Sequence, residues 1–293
     1  GRRTCLHADK TRAGTTARGR HVMARRFGRV LMTGAAGRIA RQVRERIADE
    51  CVELRLLDCV EFAVAHPAES AHVVDLGASG AAVALAPLLE GVDAVVHFAG
   101  YPREADWATL LPANVHSAAM LWEAAVDAGV QRILYASSNH AVGFYERSER
   151  IDGRVPAKPD SRYGVTKVFM EALAGFHAEK HGLRGFGMRI GYCSLAPTED
   201  RMLSHWVHPD DMAVLVAIGL TASYENEIVY GVSNNSRSWW DNSRAETLGY
   251  RPRHSADLFI PALEGASSGD PVAERFQGGA FAAEGYRLPA NRR

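Results

Sequence analysis

From Phe27 onward, short apolar runs alternate with longer stretches whose apolar residues recur at helical spacing. The runs at 29–33, 52–58, 71–74, 92–98, 132–136 and 184–189 have strand length. The stretches at 37–50, 79–90, 107–127 and 161–180 have helix length. Strands alternating with helices build parallel β-α-β units. The pattern therefore predicts an α/β fold with a doubly wound parallel sheet.

After Gly191 the pattern loosens. Pro197, the Glu199-Asp200 pair and Trp206 read as loop, and His208-Pro209-Asp210-Asp211 reads as a helix start with proline and acids in its first turn. A strand is expected at 227–231. Segment 234–242 is polar with two tryptophans, which read as core or wall, and the tail from Gly265 is rich in Gly, Ala and Ser. The chain thus divides into a main body at 27–190 and a small substrate-binding region at 191–293.

Residues 1–26 are rich in arginine, with Asp9 as the sole acid and no apolar stretch of the kind a secretory signal carries. They read as a disordered leader or upstream translated segment with Met23 as a natural start. An organelle transit peptide is the alternative.

Composition narrows the class. At 293 residues and 47% hydrophobic content, the chain can bury one large core with a small appendage. Formal net charge is zero and no basic stripe follows the leader, so no nucleic-acid partner is expected. The four cysteines form no Cys-x-x-Cys and no metal-ligand spacing, which predicts a reduced, cytoplasmic setting and no metal. The apolar stretch at 212–220 is too short to span a membrane.

The first strand runs into Thr33-Gly34-Ala35-Ala36-Gly37-Arg38-Ile39-Ala40, which opens the first helix. Small residues at Gly34, Ala36 and Gly37 let a backbone approach a pyrophosphate. The helix N-terminus, from Arg38 and Ile39, supplies free N–H groups and positive potential. Asp58 ends the second strand about twenty residues on, where an acid takes ribose hydroxyls and repels a 2′-phosphate, favouring NAD over NADP. Arg38 is the counter-signal, because a basic residue in this turn can hold that phosphate. A Rossmann-type NAD site follows from this strand–turn–helix order.

Tyr163 and Lys167 stand four apart on the 161–180 helix and so share a face. A tyrosine with its usual pKa of about 10 is no base near neutrality, and an adjacent cation favours the phenolate. Moving the value towards 7 requires about 4 kcal/mol of differential interaction. Taken singly, Tyr163 is a core tyrosine and Ser138 a turn residue. In order behind the Gly-rich turn they form a catalytic set.

Together these motifs resemble the extended short-chain dehydrogenase/reductase superfamily. That resemblance implies that Ser138 hydrogen-bonds the reacting oxygen, that Tyr163 takes its proton, and that Lys167 lowers the tyrosine pKa and holds the nicotinamide ribose. It also implies an adenine contact at Asp75 and Leu76, backbone passing the cofactor at Phe98, Ala99 and Gly100, and a cofactor-side asparagine at Asn114. The runs 138–145, 163–169, 189–191, 201–204 and 233–242 resemble the uronate dehydrogenases more narrowly. These enzymes oxidise the anomeric carbon of D-glucuronate or D-galacturonate with NAD to an aldaro-lactone. The likeness implies sugar-hydroxyl contacts from Ser138, Asn139 and His140 and a carboxylate clamp at Arg201, for which a planar guanidinium suits.

Two positions depart from that pattern. Pro102 stands where the family carries a serine, and so loses a hydroxyl and an N–H. Tyr192 stands where a second serine is expected, and is far bulkier. The alternative reading is an NAD-dependent sugar epimerase or dehydratase of the same extended family. Against it, only about a hundred residues follow Gly191 to hold a nucleotide-sugar. A small-molecule sugar acid is the expected partner. A homo-oligomer, paired through helices 107–127 and 161–180, is what the superfamily resemblance implies.

Overall fold

The computed structural model describes residues 26–288. The leader expected at 1–26 therefore lies, except for Arg26, outside the described residues. Among the described residues nine strands occur in chain order: β1 Phe27–Thr33, β2 Cys51–Asp58, β3 Glu69–Val73, β4 Ala94–His97, β5 Arg132–Ser138, β6 Arg184–Ile190, β7 Tyr192–Cys193, β8 Trp206–Val207 and β9 Asn226–Gly231. Seven of them form one parallel sheet in the order β3-β2-β1-β4-β5-β6-β9, while β7 and β8 form a separate parallel pair. The predicted doubly wound sheet is present, and its order reverses between β1 and β4.

Both sheet faces are covered, which is why its strands read as apolar runs rather than alternations. On one face, helices α1 (Arg38–Ile47) and α7 (Pro209–Thr221) bury Val43, Ile47, Met212 and Val216. On the other, α2 (Ala81–Leu89), α4 (Ser117–Asp127) and α5 (Arg162–His181) bury Leu85, Trp122, Met170 and Ala174. Strand β9 comes from the loosely patterned half of the chain, yet it pairs with β6 from Gly185↔Asn226 to Ile190↔Gly231 and completes the sheet.

The helix expected at 107–127 is not continuous. It starts at α3 (Trp107–Leu110), widens into a π-turn over Leu111–His116, and resumes as α4. Pro112 lies in the wide turn and lacks the N–H an α-helix needs there. Helix α5 begins at Ser161, whose hydroxyl accepts the Gly164 N–H, and ends at Gly182 in the left-handed region. The short helix α6 (Met202–His205) leads into β8. Trp240 stacks on Tyr230 at 4.5 Å in a third apolar cluster, so it is core. Among the described residues no helix is long and apolar enough to cross a membrane.

Candidate active site

The carboxyl ends of β1, β2, β4, β5 and β6 open onto one cleft of about 1000 Å³. The parallel register aligns these ends, with Thr33 opposite both Leu57 and His97 and Ser138 opposite Ile190. Gly34, just past β1, has φ +71°, and a Cβ there would lie 2.5 Å from the Ala99 nitrogen. Glycine alone permits that approach. Gly37 caps α1 with no side-chain hydrogen bond, leaving first-turn N–H groups to an anion.

Asp58 ties this turn to β2. Its Oδ2 accepts the Ala36 N–H at 2.9 Å, and its Oδ1 accepts those of Cys59 and Val60 at 2.8 and 3.4 Å. Asp75 accepts the Gly77 N–H at 2.9 Å. Gly34, Gly37, Arg38, Ile39 and Asp58 line the cleft, as do Asp75, Leu76, Phe98, Ala99 and Gly100. Ala36 does not line it and acts through its backbone.

Asn114 is also off the lining. It is buried and holds the loop after β4, accepting the Tyr101 N–H at 2.6 Å and donating to the Tyr101 carbonyl and to Thr166 Oγ1, both at 3.1 Å. It thereby joins that loop to α5. An uncapped helix end, a glycine cradle and an acid at the second strand end are features that fit a dinucleotide.

Ser138, Tyr163 and Lys167 line the same cleft, from the end of β5 and from α5. Lys167 Nζ donates to the Ala136 carbonyl at 2.8 Å and lies 5.3 Å from the Tyr163 ring centroid. Burial pushes the Tyr163 phenol up to about 12, against a hydrogen bond with Ser138 that pulls it down. Burial lowers the Lys167 ammonium to about 8. Burial sets both directions, and the ammonium donates to the Ala136 carbonyl rather than to the phenol oxygen.

The start of α5 is held from outside the helix. Glu104, in the loop after β4, accepts the Tyr163 N–H at 2.9 Å and pairs with Arg162 at 3.0 Å. His140 Nδ1 meets Asp160 Oδ2 at 2.8 Å, and its ring stacks on Phe281 at 4.0 Å. Asp160 is buried under Gly143 and Gly278, where a Cβ at either position would lie 1.8 Å from Asp160 Oδ2.

Arg201 lines the cleft beyond His140. Its Nε and Nη2 donate to the Gln277 carbonyl at 3.0 and 2.6 Å. With the Asn139 amide turned so that its nitrogen donates to the Ile190 carbonyl at 3.2 Å, its oxygen accepts from Arg201 Nη2 at 3.1 Å. Burial lowers Arg201 to about 10, which keeps it charged at neutral pH. His205 lies beside it, and burial holds the imidazole well below its usual range, so it is neutral; its Nδ1 is buried without a hydrogen-bond partner among the described residues. Of the two departing positions, Pro102 lines the cleft, and Tyr192 lines it in contact with Arg38.

Glu104, His205, Gln277 and Phe281 were not singled out from the sequence. His205 follows the Arg201–Ser204 run directly, and Phe281 is a lone aromatic in a Gly/Ala-rich stretch. These were the available signals. His208, Asp210 and His254 bring possible metal-ligand atoms within 4.8 Å of one another, but they lie off the cleft, and Asp210 is paired with Arg46.

The chain belongs to the NAD dependent epimerase/dehydratase family, whose model matches residues 30–209. More particularly, it is an NAD-dependent oxidoreductase similar to the uronate dehydrogenases. It is 41% identical to a uronate dehydrogenase of Pseudomonas putida over 263 residues, covering 88% of this chain and 97% of that one. It is 33% identical to an NAD-dependent glucose-6-phosphate dehydrogenase of Haloferax volcanii, over 78% of this chain and 95% of that one. The crystal structure of uronate dehydrogenase from Agrobacterium tumefaciens superposes with TM-score 0.82 at 38% identity, over 87% of this chain and 97% of the other. A mutant of that enzyme complexed with NAD matches with the same TM-score at 37% identity, over 87% of this chain and 97% of that one.

Proposed function

We propose that this chain oxidises the anomeric carbon of a cyclic hexuronate, D-glucuronate or D-galacturonate, to an aldaro-lactone. The observation that carries the reading is a charged guanidinium, Arg201, in the same cleft as Ser138, Tyr163 and Lys167. Arg201 Nε and Nη2 already bond protein oxygens, so the Nη1 donors take the substrate carboxylate. His140, fixed through Asp160, and Asn139 hold sugar hydroxyls. Ser138 hydrogen-bonds the C1 oxygen, and Tyr163, whose phenolate the positive charge of bound NAD would favour against burial, accepts its proton as the C1–H bond breaks. NAD, when bound, supplies the acceptor for the departing hydride. The Gly34–Ile39 turn and Asp58 are the residues that would hold it.

A guanidinium also suits a sugar phosphate, and the Haloferax relative is named for one. The higher identity to uronate dehydrogenases favours the carboxylate. The test is absorbance of NADH on mixing the protein and NAD with D-glucuronate, D-galacturonate, glucose 6-phosphate and neutral aldoses. Growth of the signal with the uronates above all others is expected. Strongest growth with the sugar phosphate, or with neutral aldoses, would overturn the uronate reading.

A further inference from the structure

We propose that Tyr192 sets the cofactor preference of the cleft by holding Arg38 away from a 2′-phosphate. The inference rests on the reading of this cleft as an NAD site. Arg38 is the first residue of α1, on the Gly-rich turn itself. Its Nη1 donates to the Tyr192 hydroxyl at 3.1 Å, and its guanidinium lies 4.8 Å from the centroid of the Tyr192 ring. Two distinct interactions, a hydrogen bond and a cation–π contact, thus engage one guanidinium.

That guanidinium is the cation suited to a 2′-phosphate here. Arg103, Lys167 and Arg201, which also line the cleft, come from the loop after β4, from α5 and from the turn before α6. Arg44, further along α1, donates to the Ala63 carbonyl and pairs with Glu69. A 2′-phosphate would bring its charge beside the Asp58 carboxylate, which is fixed by three backbone N–H groups. Among the described residues, Arg38 is the guanidinium on the Gly-rich turn that could offset that repulsion. Tyr192 is in turn held, its backbone by pairing with Trp206 in β8 and its side chain by packing against the apolar cluster of Met202, Leu203 and Trp206. Asp58 therefore repels the phosphate while Tyr192 withholds the residue that could accept it.

The test measures binding of 2′,5′-ADP against 5′-AMP by calorimetry, and the NADP/NAD ratio of kcat/KM, in which effects on the sugar cancel. In Tyr192→Ser both preferences should move towards the 2′-phosphate by about tenfold, the scale of one hydrogen bond to a charged group. Tyr192→Phe, which keeps the ring and loses the hydroxyl, should move them less. Adding Arg38→Ala to Tyr192→Ser should abolish the gain. A preference unchanged within about twofold in Tyr192→Ser, or a gain that survives loss of Arg38, would overturn the proposal. If the wild-type protein binds neither NAD nor 5′-AMP, both this proposal and the cofactor reading fall. NAD binding with an unmoved preference refutes the role of Tyr192 alone.

Discussion

Arg201 donates from both Nε and Nη2 to the backbone carbonyl of Gln277, 76 residues further along the chain. Gln277 is itself anchored, donating to the carbonyls of Glu146 and Glu149 and accepting the Trp240 indole N–H at 2.9 Å. This guanidinium of the cleft is thus aimed by a segment some 76 residues away in sequence. Gly279 has φ +63°, and a Cβ there would lie 2.5 Å from Arg201 Nε, so the support admits no side chain.

Arg201→Leu is expected to raise KM for uronate by about 10- to 100-fold, the scale of a hydrogen bond to a charged group, while changing KM for a neutral aldose much less. Steady-state kinetics on both substrates check this. Equal effects on both would remove Arg201 from the carboxylate role.

Gly278→Ala is expected to destabilise the protein by about 1–3 kcal/mol, because the new methyl lands on the buried Asp160 carboxylate. Urea unfolding measures the loss. KM for the sugar should rise as well, since Asp160 holds His140. An unperturbed melt would mean that the C-terminal segment yields freely.

On α5, Glu171 accepts from Arg189 Nε and Nη2 at 2.8 and 2.9 Å and from Ser137 at 2.6 Å, all buried. This network ties α5 to β5 and β6 one turn beyond Lys167. Glu171→Ala should cost about 3–5 kcal/mol by leaving the Arg189 charge buried and unpaired. The double change Glu171→Ala with Arg189→Met should recover part of that loss in the same unfolding assay.

Much of this was legible in the sequence because it is local. The six apolar runs of the main body became sheet strands, and the Gly34–Ile39 turn, Asp58, Ser138, Tyr163 and Lys167 fell at strand ends or on α5 as their order implied. What escaped depends on contacts between distant segments. Nothing near β9 announces that it pairs with β6, and nothing near Gln277 or Phe281 announces that they lie over Arg201 and His140. The Tyr163–Lys167 spacing was legible, but burial, which sets both pKa directions, is a property of the whole fold. The apolar periodicity of 107–127 does not reveal the π-turn around Pro112 that interrupts the helix.

These two groups also predict a stability profile. Lys167 falls from 10.5 to about 8 on folding, so between those values the unfolded chain holds more protons and stability rises with pH. The gain is on the order of 3 kcal/mol at most. Tyr163 rises from 10 to about 12, so above pH 10 the folded state keeps a proton the unfolded state has lost, and stability falls. Burial raises Cys193, Tyr224 and Tyr230 to about 12 as well, which adds to the fall, so urea midpoints from pH 7 to 11 should climb above pH 8 and then turn over. In Lys167→Met the climb from pH 8 should be lost, and a climb that persists would contradict the assignment.

The most direct measurement of the central claim uses D-glucuronate deuterated at C1, mixed with NAD and the protein, with both products read by mass spectrometry. Hydride loss from the anomeric carbon predicts deuterium in the reduced nicotinamide and none at C1 of an aldaro-lactone. Deuterium retained in the sugar, with epimerised uronate and no net reduced cofactor, would contradict the account and favour a sugar epimerase.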